Sequence, residues 1–233
     1  MTPTQCPKSP FSPTLKRYHQ RLWSKRTPSG ELLELRDDRR TAYLYHRRPT
    51  DMLFFASDTM MTSFRRNAGV QALAAQLEDH MQLIRWDARY TIGGFIVFPG
   101  DRIDGRPTIN GARGMHPRIK DRFDLTLECI RRHYDGTESP LAAPIARYSK
   151  FFDLFGDFSK YVDFFHLQDL VDADGHVRFL LPFDDFVRTP MPTTVAEYLR
   201  FMDESMNFVQ SRNARIAAWW REDEAGRLSG DRL

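Results

Sequence analysis

The stretch Thr91–Gly136, TIGGFIVFPGDRIDGRPTINGARGMHPRIKDRFDLTLECIRRHYDG, limits what this chain can fold into more than any other. Its apolar run Thr91–Phe98 predicts a strand, and the pair Gly93-Gly94 within it marks a bulge or a close approach by another backbone or a ligand. The turn dipeptides Pro99-Gly100 and Asp104-Gly105 send the chain back through Thr108–Asn110 as a hairpin. The glycine loop Asn110-Gly111-Ala112-Arg113-Gly114 then feeds a helix that opens at Pro117, where a missing N–H costs nothing, and ends before Gly136, which suits the left-handed position past a helix. Phe123, Leu127, Ile130 and Tyr134 recur at helical spacing and form its core stripe. Asp121, Leu125, Glu128 and Arg132 lie roughly opposite, with Asp124 and Arg131 beside them.

Other segments supply the layers that this unit must pack against. Residues 1–14 hold Pro3, Pro7 and Pro10 and read as a surface arm. Leu15–Trp23 is a brief helix. Glu31–Leu35 and Thr41–His46 read as strands around the polar turn Arg36–Arg40, and Met52–Ala56 as a third. Val70–Met81 has the spacing of an amphipathic helix, and Leu83–Trp86 is a short strand or that helix's exit. Ser139-Pro140 opens a helix closed by Gly156, Asp157 or Ser159 caps the next, and Val177–Phe183 is a further strand. Thr194 and Glu197 form a capping box for a long helix from Val195 to about Arg221, after which a polar tail frays. Strands first and helices later predict an α+β fold. A mostly antiparallel sheet from the N-terminal half carries the helices of the C-terminal half, including the long C-terminal one. The predicted organisation is an arm over 1–14, one domain over 15–222 and a tail over 223–233.

Composition sets bounds on function. With 18 Phe among 233 residues a sizeable core is attainable although 28% of the chain is charged. The 34 basic and 31 acidic residues interleave to a net charge of +3, which does not advertise a broad nucleic-acid surface. Arg greatly outnumbers Lys, and Arg suits bidentate contacts to phosphate or carboxylate. No apolar run approaches the roughly 18 residues of a membrane span. The first residues lack the apolar core of a secretory signal, and two cysteines make no disulfide framework, so a cytoplasmic setting is expected.

Candidate chemistry gathers on the opening stretch. Glycines let backbone N–H groups turn inward before a helix, and Arg113, Arg118 and Lys120 stand nearby, which makes an anion cradle. The spacing matches neither the phosphate-loop nor the dinucleotide fingerprint. Asn110, Arg113, Arg118, Arg122 and Arg132 form the candidate ligand-binding set. Asp121, Asp124 and Glu128 are candidates for a general base or a metal ligand. The alternative is structural: a solvated helix face, or a buried Asp–Glu–Arg network, because an unpaired buried charge is expensive. Asp58 reads as a site residue at a strand end or as a helix cap. Asp184-Asp185 reads as part of a divalent-metal site or as a water-facing loop start. His46, His116, His133 and His166 are scattered, so no metal site is assigned, and no cofactor is identified. Cys129 reads as a small core residue.

RYHQRLWS, TPSGELLEL, SDTM, GGFIVFPG, TINGARG, IKDRFDLTLECIRRHY, LPFDDF and RNARI together resemble a bacterial protein family of unknown function. The resemblance runs from about Leu15 to Arg221, and IKDRFDLTLECIRRHY is its most specific part. It implies a single domain and brings no reaction, cofactor or catalytic residue with it.

Two functions fit these residues. The first is a phosphate-recognising protein, an enzyme acting on a nucleotide or nucleic acid or a component of a defence or toxin system. The second is a non-catalytic interaction module, a dimer formed through the C-terminal helix and its Trp219-Trp220 pair or a partner-binding scaffold.

Overall fold

The computed structural model of the chain describes residues 12–38, 43–62, 64, 67–77 and 90–228. The N-terminal arm up to residue 11, the segment 83–86 and the last residues of the tail lie outside the described residues.

Helix α1 (Pro13–Trp23) starts inside the expected arm, because Ser12 caps it: its Oγ accepts from Leu15 N–H at 3.1 Å, and Pro13 occupies the first turn. Four antiparallel strands follow in chain order, β1 (Arg36–Asp37), β2 (Leu44–Arg47), β3 (Met52–Thr59) and β4 (Phe95–Pro99). The expected strand Glu31–Leu35 does not join this sheet. Side chains take its backbone donors: His46 Nδ1 accepts from Glu34 N–H at 3.1 Å and Ser24 Oγ from Leu35 N–H at 3.0 Å. Pairing shifts to Arg36–Asp37, expected as a turn. In β3, Asp58 sits opposite Ile96 of β4. Helix α2 (Ala68–Ala74) lies between these two strands in sequence.

Ile92–Gly94 forms a single tight helical turn before β4. Gly93 is there because the C-terminal helix crosses it: a Cβ would come within 2.5 Å of Val209 O. The return strand Thr108–Asn110 is instead the start of α3 (Ile109–Met115). Pro107 offers no ladder donor, and Thr108 Oγ1 caps the helix by accepting from Gly111 N–H at 3.2 Å. The stretch Gly111-Ala112-Arg113-Gly114, expected as a loop, is therefore helical. The next helix, α4 (Phe123–Tyr134), begins six residues later than Pro117. Lys120 and Asp121 hold positive φ of 47° and 67° and break the helix there. Gly136 takes the left-handed position at its far end, φ 67°.

Helices α5 (Ala142–Ala146) and α6 (Ser149–Phe152) replace the single one expected before Gly156. Between them Tyr148 turns its hydroxyl to donate to Asp101 O at 2.6 Å. Asp157 caps α7 (Phe158–Phe164). Val177–Phe183 forms no strand beyond a bridge from Val177 to Val171, since Leu180 N–H goes to the Asp124 carboxylate at 3.0 Å. Helix α8 (Val195–Leu228) runs past Arg221, where fraying was expected. Asp223 is buried and pairs with Arg21 of α1 at 2.5 Å, which holds the extra turns down. At its start Thr194 Oγ1 accepts from Glu197 N–H, while Glu197 reaches back to Thr193 rather than Thr194.

The core joins sheet and helices through Phe55, Phe151, Phe152, Phe155, Tyr161 and Phe165, with Trp23 against them. Arg212 of α8 is wholly buried in it and donates five hydrogen bonds to the carbonyls of Ile92, Gly93, Phe95 and Phe165. It fastens α8 to the start of β4 and the end of α7. Among the described residues no helix is long and apolar enough to cross a membrane.

Candidate functional site

Helix α3 is too short to bury much by itself, and what anchors it is Arg113. This side chain is fully buried. Its Nη1 donates to Asp58 Oδ2 at 2.6 Å and to Thr59 O at 3.2 Å, at the end of β3. Its Nη2 donates to Asp121 O at 2.6 Å and lies 3.3 Å from Asp121 Oδ1, while Asp121 N–H returns a bond to Arg113 O. That two-way clamp holds Asp121 in its strained backbone conformation. Burial pushes the Asp58 carboxyl up to about 6, with Arg113 pulling it down and Asp121 adding to the rise. Burial alone would lower the Arg113 guanidinium, but attraction to Asp58 and Asp121 outweighs it and raises its pKa.

In front of this clamp opens a cleft of about 820 Å³. Asn110, Gly111 and Met115 of α3 line it, together with Lys120 and Asp121, with Thr62, Phe64 and Arg102, and with Met191 from the segment before α8. Arg102 and Lys120 make no ion pair with any described residue. Met115 is 64% exposed, an apolar lip on a polar opening. Three lining residues, Phe64, Lys120 and Asp121, carry positive φ without being glycine. Backbone strain gathered at one cleft is held there by surrounding structure and is common at functional sites.

Of the residues predicted from sequence, Asn110 and Asp121 line this cleft and Arg113 stands behind Asp121. The others are brought together elsewhere, around the segment 177–191. Arg122 and Asp124 are buried and paired, Arg122 Nη1 also donates to Pro190 O, and Asp124 receives Leu180 N–H. Arg118 donates to Phe186 O. Glu128 accepts from Arg131 and Arg132, and Arg132 also binds Asp185 and lies over the Phe186 ring. Burial pushes the Glu128 carboxyl up, but the two guanidinium partners prevail and hold it below its usual range. Leu125 and Cys129 are buried too, so both sides of α4 face protein.

Sequence reasoning missed Arg102, Thr62, Phe64, Met115 and Met191. They come from four separate parts of the chain, with Thr62 and Phe64 two positions apart, and no spacing rule links them. Asp58 carried a signal, a carboxylate at the end of an apolar strand, but its partner was not legible. Asp184 accepts from Arg188 N–H, and among the described residues it belongs to no set placed close enough to share an ion. Among the described residues Asp172, Asp174 and His176 are the one set placed close enough to share an ion. Asp172 there already accepts the N–H groups of Asp174 and His176, which makes it a turn-closing residue.

A four-stranded antiparallel sheet with helices following it defines an α+β protein, and a polar cleft with strained backbone opens near the end of its third strand. The chain belongs to a family of unknown function, DUF6994, whose model matches residues 5–216. No curated protein and no solved structure matches it.

Proposed function

We propose that the cleft in front of Arg113 binds a phosphorylated ligand, a nucleotide or the end of a nucleic acid. The observation that carries this reading is the pair Arg102 and Lys120, two cations without a carboxylate partner among the described residues, both lining one cleft. Phosphate meets these two. Phe64, Met115 and Met191 give a base an apolar surface, and Asn110 and Thr62 supply polar contacts. Arg113 acts through position rather than contact, since its charge is spent on Asp58. Asp121, its side chain 37% exposed, is the carboxylate that would accept a proton from the ligand or a hydrogen bond donated by one of its hydroxyls.

Thermal-shift titration with nucleoside mono-, di- and triphosphates and with inorganic phosphate tests this. Stabilisation by a nucleotide that is lost in Lys120→Ala and in Arg102→Ala is expected. Stabilisation by none, or equal stabilisation of both variants, would overturn it.

A second reading is a non-catalytic interaction module. It is favoured by the self-satisfied network Arg122–Asp124 and Glu128–Arg131–Arg132, which serves the fold and leaves nothing over for a ligand. Under it, exposed Met115 and Val187 meet a protein partner, or α8 meets a second copy.

A further inference from the structure

The cleft in front of Arg113 does not end at Met191. A second hollow, a recess of about 270 Å³, is lined by the start of α2 and by the segment 189–193, and Asn67 and Met191 line both it and the cleft. These two side chains form the seam: the Asn67 amide donates to Met191 Sδ, while Asn67 Oδ1 caps α2 by accepting from Val70 N–H at 2.9 Å. The two hollows differ in chemistry. The cleft holds Arg102, Lys120 and Asp121, whereas no charged residue lines the recess. Val70, Leu73, Met191 and Pro192 give it apolar walls. Thr193 at its edge is already engaged, its N–H and its hydroxyl both donating to Glu197 Oε2 at 2.7 Å. Two polar groups are left over among the described residues, the second amide hydrogen of Asn67 and the hydroxyl of Thr189.

A charged group would lose its water in this recess and find no partner, so the phosphate of a bound ligand stays in the cleft. A plain hydrocarbon would leave the amide and the hydroxyl unanswered. A heterocycle, with apolar faces and a polar edge, suits both kinds of wall. Size points the same way: pockets for single small ligands run from about 300 to 1,000 Å³. At about 820 Å³ the cleft holds one nucleotide by itself, and the recess is additional. We propose that the ligand is the end of a nucleic-acid strand, two nucleosides joined by a phosphodiester. This rests on the phosphate-binding reading above and selects the strand end over the free nucleotide. Phosphate stays with Arg102 and Lys120, and one base lies against Phe64 and Met115. The next base passes Met191 into the recess, where Asn67 and Thr189 meet its edge.

Titration calorimetry of the full chain with adenosine 3′,5′-bisphosphate and with the 5′-phosphorylated dinucleotide of adenosine tests the proposal. The dinucleotide adds a second adenosine and carries no more phosphate charge than the bisphosphate, so a gain in affinity reports the second nucleoside. It is expected to bind at least about tenfold more tightly. Thr189 is exposed, and Thr189→Trp fills the recess from its edge. That variant is expected to bring the dinucleotide down to the affinity of the bisphosphate and to leave the bisphosphate unchanged. Bisphosphate binding with no advantage for the dinucleotide overturns this proposal and leaves the phosphate reading standing. Binding of neither overturns both. An advantage that persists in full in Thr189→Trp also overturns the proposal. So does octyl phosphate binding more tightly than the dinucleotide, since the recess would then take a hydrocarbon. The wild-type comparison of the three ligands decides the matter even where the tryptophan variant does not fold.

Discussion

Arg113 Nη1 lies 2.6 Å from Asp58 Oδ2, although the two residues stand 55 positions apart in the chain. Neither side chain reaches water freely, and the pair joins the end of β3 to a helix that has little else to hold it. The cleft wall at Lys120 and Asp121 depends on the same guanidinium.

Arg113→Met should cost about 3–5 kcal/mol, because it leaves a carboxylate buried without its partner. For a chain of this size that lowers Tm by roughly 10 °C. The double variant Asp58→Asn/Arg113→Met is expected to recover a large part of the loss, since no charge is then stranded. Urea unfolding of the four species measures the coupling, and simple additivity would show that the two groups do not depend on each other.

The pair also sets a pH dependence of unusual sign. Asp58 moves from an ordinary 3.8 to about 6, so the folded chain holds its proton more tightly than the unfolded chain does. Its contribution is present below pH 3.8 and is lost as pH rises through 6. Relative to Asp58→Asn, the wild type should gain about 2 kcal/mol between pH 7 and pH 4. His19 works in the opposite direction: burial, with Arg212 adding to it, lowers its imidazole to about 3. Its contribution is present above pH 6.5 and is lost as pH falls towards 3. Denaturation midpoints at several pH values separate the two, and an Asp58→Asn difference that does not change with pH would exclude the first.

Arg212 is tied to carbonyls alone. Burial brings its guanidinium down to about 9. Arg212→Met would strand four buried carbonyls at once, and a loss of more than about 4 kcal/mol, or failure to fold, is expected. Arg212→Lys keeps a charge but cannot reach all of them, so it should fall between. A methionine variant with wild-type Tm would remove this residue from the account of how α8 is fastened.

Two glycines should respond oppositely to alanine. At Gly93 the new Cβ meets Val209 O at 2.5 Å and Asn213 within 2.8 Å, so α8 must move; a loss of about 2 kcal/mol or more is expected. At Gly114, inside α3, a Cβ meets nothing within 4 Å, and alanine should stabilise by about 0.5–1 kcal/mol. Melting curves of the two variants check both signs.

Local chemistry was legible where the determining contacts lie within a few residues. The stop at Gly136, the cap at Asp157 and the start of α8 at Thr194 each depend on groups three or four positions away, so sequence shows both partners at once. The extra length of α8 was not legible because Asp223 is held by Arg21, from the other end of the chain. The strands expected at Glu31–Leu35 and Val177–Phe183 fail for the same kind of reason. Their N–H groups are taken by His46, Ser24 and Asp124, side chains whose reach no alternation pattern records.

Sequence by itself determined that this is an α+β chain, with a mostly antiparallel sheet from its first half, capped helices after it and a long helix at the end; the order of the strands came from the structure. It also offered, beside a solvated face, the reading in which the carboxylates and guanidiniums of α4 are buried and pair with one another. Tertiary structure decided which of them face a cleft. A helical period gives the direction in which a side chain leaves its own axis, but not what the rest of the chain has placed there. Arg113, read from sequence as part of a cradle for phosphate, is buried against the carboxylate near the end of β3, and the cleft is lined by Asp121 rather than by Arg113 itself.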